Sequence, residues 1–332
     1  MIAANALCVR WGLLSTARIN RSLIPAIRAS ARSRLVAVAS RTAEAAEAYA
    51  RAWDIPLAFG SYQAMLDSDA IDAVYISLPN ALHAEWSIRA LRVGKHVLCE
   101  KPLATSEASL LEMIALARAQ RLVLAEAFMY RHHPQTLMVQ SLVRDGRIGE
   151  VRLVKGAFTF SIANENDVRL DPSLDGGSLW DVGCYPLSYA RMIYGREPAR
   201  VMGLAYVGSS GVDEAFVAQL AFDNQAYAQF DCGFRAPFRT HIEIVGSKGM
   251  IVVPAPFKPG PRETIYVGDA SDRLEALPVE GPELLYLGEV EDMVSAILDG
   301  TPPRVSLEDS LGNLRAMRAL FRSAQEARAV ML

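Results

Sequence analysis

An acid, a base and a proline stand together at Glu100-Lys101-Pro102, directly after the run His96-Val97-Leu98-Cys99. The run reads as a short buried strand. Proline cannot continue a strand ladder, so the chain leaves the sheet there and projects Lys101 over the crevice at the strand's carboxyl end. In an open α/β sheet that end is where ligands bind; a solvated Glu–Lys pair in a turn is the competing reading. Two further stretches carry nucleotide chemistry. Ser15-Thr16-Ala17-Arg18-Ile19-Asn20 occupies the place of a G-x-G-x-x-G fingerprint, with its glycines replaced by Ser15, Ala17 and Asn20. All three replacements are small. Ser15 and Ala17 still let a pyrophosphate approach backbone amides at a helix N-terminus. Ser40-Arg41-Thr42 then stands where an NAD-binding chain places Asp or Glu for the ribose 2′-hydroxyl. Two hydroxyls and a guanidinium suit a 2′-phosphate, which an acid would repel. This favours NADP over NAD, the alternative being a solvated arginine after a strand.

These residues need an alternating scaffold, and residues 6–125 supply one. Strand-like runs at 7–14, 35–39, 57–59, 73–78, 95–99 and 122–125 alternate with helical spacing at 18–31, 42–53, 64–66, 81–93 and 106–120. Thr42, Ser61 and Ser106 are placed to cap helices, and Gly94 to end one. Strands alternating with helices predict a doubly wound parallel sheet.

Beyond residue 126 the period changes. A helix is expected over 134–145, a strand over 151–160, a long loop over 161–175 and a helix over 179–194. Further strands are expected at 200–207, 215–222, 226–234, 240–245 and 250–253. In 226–234 one face carries Ala226, Ala228, Phe230, Cys232 and Phe234, the alternation of an antiparallel sheet covered on one side. The helices at 179–194, 284–298 and 306–327 are assigned to that cover. The Pro- and Gly-rich segment 254–282 reads as mostly loop.

The 332 residues allow two domains, with 51% hydrophobic and 21% charged residues. A net charge of −3 gives no footprint for nucleic acid or an anionic membrane. Cys8, Cys99, Cys184 and Cys232 are scattered without C-x-x-C, as free thiols in a reducing compartment are, and no metal set is expected. No export signal or membrane span is visible, and a cytoplasmic protein is expected.

With the pieces placed, the chain resembles the glucose–fructose oxidoreductase / inositol dehydrogenase / dihydrodiol dehydrogenase family of NAD(P)-dependent oxidoreductases. The resemblance rests on Trp11-Gly12 with the fingerprint turn, Leu78-Pro79-Asn80 with His83, Glu100-Lys101-Pro102, and Glu126 through Tyr130-Arg131 to His133-Pro134. It continues through Gly176-Gly177-Ser178-Leu179-Trp180-Asp181-Val182-Gly183-Cys184-Tyr185. It implies an α/β fold: a Rossmann domain over 1–126, then over 127–332 a substrate-binding and oligomerisation α/β domain with a large open antiparallel sheet. It implies that Lys101 is catalytic and that the peptide before Pro102 is commonly cis. Leu78, Pro79, Asn80, His83, Glu100, Lys101 and Pro102 would line the cofactor site, with Asn80 and His83 near the nicotinamide. Asp181, Arg169 and Asn80 would face the substrate, a small polyol or sugar-like molecule. Assembly as a homodimer or dimer of dimers is implied too. Many members have histidine where this chain has Tyr185, and the tyrosine matches the sugar-oxidoreductase and dihydrodiol dehydrogenase branches, where it is the acid/base.

Hydride transfer also needs a proton acceptor on the substrate oxygen. A tyrosine with pKa about 10 is a poor base at neutral pH. A lysine ammonium roughly 4 Å away favours tyrosinate by about 4 kcal/mol at an effective dielectric near 20, and desolvation opposes it. Tyr185 is therefore read as the proton relay, with Lys101 lowering its pKa and bonding the substrate oxygen. Two other readings stay open: a non-enzymatic NADP-binding regulator of the same fold, and an oxidoreductase whose tightly held cofactor cycles between two sugars.

Overall fold

Six short strands of the first 127 residues pair into one parallel sheet. The computed structural model describes residues 7–222, 225–269 and 273–332; residues 1–6, part of the stretch read for an export signal, lie outside it. The strands are β1 (Val9–Leu14), β2 (Ser33–Ala39), β3 (Leu57–Phe59), β4 (Ala73–Ile76), β5 (His96–Glu100) and β6 (Leu124–Ala127). Their order is β3-β2-β1-β4-β5-β6, and every pairing is parallel. Helices α1 (Asn20–Ala29), α2 (Ala43–Trp53), α3 (Tyr62–Leu66), α4 (Asn80–Arg92) and α5 (Glu107–Gln120) make the crossovers. All four residues of β4 are buried, as a strand covered on both faces requires. Thr42, Ser61 and Ser106 each accept an N–H of the helix they precede. Strand order reverses between β1 and β4, and ligands of open α/β sheets bind at that switch point.

A nine-stranded sheet follows. After α6 (Pro134–Arg144) come β7 (Val151–Ser161), a π-helical turn over Leu179–Gly183, and α7 (Cys184–Tyr194). The remaining strands are β8 (Arg200–Val207), β9 (Asp213–Ala221), β10 (Tyr227–Gly233), β11 (Arg235–Gly246), β12 (Gly249–Val253), β13 (Arg262–Asp269) and β14 (Leu274–Glu280). Then come α8 (Leu287–Leu298), α9 (Leu307–Glu326) and β15 (Val330–Met331), and the order is β14-β13-β12-β11-β7-β10-β9-β8-β15. All pairs are antiparallel except β7 with β10, which run parallel; a parallel pair needs a crossover, and the chain between these strands contains α7. One face of the sheet buries Val154, Phe216, Phe230 and Ile242, while Met202, Leu204, Tyr206 and Val217 stay exposed.

Three expectations change. The segment expected as loop over 254–282 contains two strands. β13 buries Ile265 and Val267, and β14 pairs with it from Arg262↔Glu280 to Gly268↔Leu274. Pro278 hides β14 in the sequence, yet β14 is the outermost strand, where a missing N–H is tolerated. The helix expected over 284–298 as cover for the large sheet belongs instead to the first unit. As α8 it packs on α1 and β1, burying Val290, Met293 and Val294, and Arg32 reaches Ser295 Oγ at 3.1 Å and Asp299 Oδ1 at 2.8 Å. The chain accordingly divides into two units: one ends at Met129 and takes up Leu284–Ser310, and the other holds Tyr130–Glu283 and Leu311–Leu332. Finally, the single helix expected over 179–194 opens with five π-helical residues before it becomes α-helical.

Candidate active site

In the first unit the candidate residues gather at the carboxyl ends of β1, β2, β4 and β5. The β1–α1 turn keeps the backbone of a glycine fingerprint without the glycine. Ser15 has φ 138°, in the region that glycine favours, and side chains hold it there. Ser15 Oγ lies 2.8 Å from Ser77 Oγ and accepts the Ala17 N–H at 3.1 Å. Buried Asn20 donates to the Ser15 carbonyl at 2.8 Å and accepts from Ser77 Oγ at 2.8 Å. Thr16, Ala17 and Ile19 are half-buried and Arg18 is exposed. No acidic residue lies in the first turn of α1, so its positive end faces the turn undiminished, as an anion requires. At the end of β2, Ser40 is buried, Arg41 is exposed and Thr42 caps α2. A diphosphate at the first turn and a 2′-phosphate at the second fit these residues.

Leu78 and Pro79 end the β4 segment, and half-buried Asn80 opens α4. His83 is fully buried one helical turn on. Its Nε2 lies 2.7 Å from the Leu78 carbonyl oxygen and its Nδ1 2.8 Å from that of Pro102. Burial pushes the imidazole pKa down, against the pull of the two carbonyls. A carbonyl oxygen stands against each ring nitrogen, and the N–H of the neutral ring donates to one of them, so His83 braces the Glu100-Lys101-Pro102 turn against the end of β4. The Lys101–Pro102 peptide is cis. Glu126 Oε1 on β6 accepts the Leu103 N–H at 2.9 Å, and the Tyr75 hydroxyl donates to Glu100. Burial, followed by the Glu100 charge, pushes the Tyr75 phenol well above its ordinary value. It does the same to the Glu289 carboxyl on α8. Lys101 is thus held on a turn tied to β4, β5 and β6.

In the second unit Asp181 lies in the π turn. The Arg169 Nε donates to Asp181 Oδ2 at 2.7 Å, and its Nη1 to Asp167 Oδ1 at 3.2 Å. The Asp181 charge, more than that of Asp167, raises the Arg169 pKa against the effect of burial. Tyr185 is 4% exposed, with ring centroids of Phe158, Phe257 and Tyr130 at 5.4, 5.5 and 5.8 Å. On the next turn of α7, Ser188 Oγ takes the Tyr130 hydroxyl at 3.0 Å and Arg131 Nη1 at 3.2 Å. Sequence reasoning passes over Ser77 and Tyr75, whose partners Asn20 and Glu100 lie 57 and 25 positions away, so no local pattern marks them.

A six-stranded parallel sheet whose order reverses between β1 and β4, with the β1–α1 and Lys101 turns at its carboxyl ends, is the architecture of a dinucleotide-binding domain. The family model for "Oxidoreductase family, NAD-binding Rossmann fold" matches residues 9–128, and that for the "GFO/IDH/MocA C-terminal domain" matches residues 136–252. The D-xylose 1-dehydrogenase (NADP(+)) 2 of Haloferax volcanii is 37% identical over 325 residues, covering 97% of this chain and 99% of that protein. Among solved structures, a 3-ketoreductase from Actinomadura kijaniata in complex with NADP and TDP-benzene superposes with TM-score 0.89. Its identity is 31%, and the match covers 95% of this chain and 98% of that one. An aldose–aldose oxidoreductase from Caulobacter crescentus gives TM-score 0.89 at 28% identity, over 98% of this chain and all of that one (100%). The chain belongs to the GFO/IDH/MocA family of NAD(P)-dependent oxidoreductases. Among the described residues no helix is long and apolar enough to cross a membrane.

Proposed function

We propose that the protein is an NADP(H)-dependent oxidoreductase that moves a hydride between the nicotinamide and the hydroxyl or carbonyl carbon of a sugar, sugar derivative or related diol. The observation that supports this most directly is the cis Lys101–Pro102 turn, braced by His83 and Glu126 at the carboxyl end of β5, whose neighbour β4 flanks the point where strand order reverses. Ser15 to Ile19 take the diphosphate and Ser40 with Arg41 the 2′-phosphate. Leu78, Pro79, Asn80, Glu100 and Pro102 form the nicotinamide end, with His83 behind them. Bound there, the nicotinamide supplies or accepts the hydride. Lys101 donates a hydrogen bond to the substrate oxygen, and Tyr185 carries its proton. Asp181 accepts a substrate hydroxyl, and Arg169 orients that carboxylate. Two of the named relatives are named for sugars, D-xylose and aldoses, which supports the substrate class. The enzyme works in the cytoplasm, with residues from about 127 onward providing the substrate side. Copies pair through the open sheet face that carries Gln219, Gln229, His241 and Glu243.

A panel of aldoses, keto-sugars and trans-dihydrodiols, read by NADPH absorbance in both directions, tests the reading and names the substrate. On the best substrate, Tyr185→Phe removes one oxygen and is expected to lower kcat by roughly 10²–10⁴-fold, the range for general acid–base groups, with NADP binding unchanged. Lys101→Met is expected to be at least as severe. The double variant should be little worse than the worse single one, as for residues acting as a unit. Near-wild-type kcat in Tyr185→Phe puts the relay elsewhere. No turnover with any of the panel would favour the regulatory reading.

A further inference from the structure

The first residue of β9 lies under the turn that opens the helix bearing Asp181 and Tyr185. Asp213 is 5% exposed and Ser178 fully buried. Asp213 Oδ2 accepts the Ser178 hydroxyl at 2.8 Å and the Leu179 N–H at 2.7 Å. The first N–H groups of a helix have no partner within it, and the residue just before it normally supplies an acceptor. Ser178 holds that place but makes no capping bond; it donates its hydroxyl. The acceptor comes instead from a carboxylate 35 positions along the chain. The preceding glycine is fitted to it: Gly177 has φ 120°, and a Cβ there would stand 2.2 Å from Asp213 Oδ1. On the other side Cys232 Sγ lies 3.7 Å from Ser178 Oγ, and a Cβ on Gly183 would stand 2.8 Å from that sulfur.

A π-helical turn is uncommon and recurs at functional sites. Relaxing it to α geometry shifts the register by one residue, about 100° of rotation around the helix. Such a shift would carry Asp181 away from Arg169, or Tyr185 away from Phe158 and Phe257. A fixed acceptor at the start of the turn opposes it. We infer that Asp213 is a positioning residue: a carboxylate cap supplied by the sheet that holds the π turn, and through it the orientation of Asp181 and Tyr185. Its consequence for turnover rests on the roles proposed above for those two residues.

The test sets Asp213→Ala, Asp213→Asn and Ser178→Ala beside wild type and Tyr185→Phe. The readouts are steady-state kinetics on the best substrate of the panel, NADP affinity by fluorescence titration, and amide exchange of peptide 176–185 by mass spectrometry. Asp213→Ala is expected to speed exchange in that peptide and lower kcat/KM by up to about 10²-fold, the scale of a 1 Å misplacement, with the NADP Kd within about twofold. In Asp213→Asn an amide oxygen accepts the same two donors and restores most of kcat/KM, while Ser178→Ala, which leaves residue 213 in place, should still speed exchange in that peptide, an effect that a mere loss of packing at residue 213 would not produce. Should Asp213→Ala not fold, Ser178→Ala removes one donor and gives a smaller change in the same direction. Wild-type exchange in both Asp213→Ala and Ser178→Ala overturns the cap. Faster exchange with wild-type kcat/KM, while Tyr185→Phe is impaired, overturns the positioning role. Wild-type turnover in Tyr185→Phe would fell the proposed relay instead, and the exchange result would still decide the cap.

Discussion

Replacing Asp213 by asparagine keeps the shape of the side chain and removes its charge, so the pH dependence of stability isolates the cost of that charge. Burial pushes this carboxyl from 3.8 up to about 6, against the pull of the bonds from Leu179 and Ser178. A folded value raised above the unfolded one means that the native state holds the proton more tightly. The stability this contributes is fully present below pH 3.8 and is lost as pH rises through about 6. Roughly two pKa units at 1.36 kcal/mol each give about 3 kcal/mol, and at 5% exposure little of it is screened by solvent. The asparagine variant lacks this loss. Urea unfolding at a series of pH values, followed by fluorescence, measures it, and Trp180 is the sole tryptophan within Tyr130–Glu283. The stability of the variant relative to wild type is expected to rise by roughly 2–3 kcal/mol between pH 4 and 7, centred near 5, midway between the unfolded and folded values, on top of a constant offset from altered bonding. A difference that stays flat across that range refutes the reasoning, because the charge would then be fully compensated by its donors.

Three other outcomes follow from the structure. Arg41→Ala should raise KM for NADP and leave KM for NAD nearly unchanged; equal wild-type efficiency with both cofactors would count against the 2′-phosphate assignment. Glu289 is buried and held well above the ordinary carboxyl value of 4.5, chiefly by burial and next by the Glu100 charge. Wild type should therefore lose thermal stability relative to Glu289→Gln as pH rises above 4.5, where the unfolded chain gives up the proton that the buried carboxyl keeps, and parallel melting curves across pH would contradict this. Light scattering at micromolar concentration should give at least a dimer, since the open sheet face exposes Met202, Leu204, Tyr206 and Val217 around a polar row; a monomer would remove the proposed interface.

What the sequence discloses here depends on how far apart the cooperating residues lie. The strand exit at Pro102 is legible because a buried run and a proline are adjacent. The caps at Thr42, Ser61 and Ser106 are legible because capping spans three residues. The fingerprint turn is harder: Ser15 takes a glycine-like φ only because Ser77 and Asn20 hold it, and Ser77 is 62 positions away. His83 carries a motif position without showing in sequence that a carbonyl stands against each ring nitrogen. α8 reads correctly as a helix, but its pattern of buried Val290, Met293 and Val294 cannot say which sheet it will meet. Proline frequency obscures β13 and β14 because edge position, the feature that excuses Pro278, is a property of the assembled sheet. Asp213 looks like any acid at a strand start.

The return of Leu284–Ser310 to the first unit has a consequence for how the molecule comes into being. As the nascent chain emerges, β1 to β6 are available early, yet the surface of α1 and β1 that α8 covers has no partner until Tyr130–Glu283 has been made. At about 5–20 residues per second that interval is on the order of ten to thirty seconds. During it the first unit presents the apolar ground meant for Val290, Met293 and Val294, a surface that chaperones recognise and that invites misassociation. The second unit waits as well, because β15 joins the edge of its sheet beside β8 only when the last residues arrive. A gene cut after Met129 would therefore yield a nucleotide-binding half with an unsealed flank, whereas a transplant that carries α8 on a tether would close it.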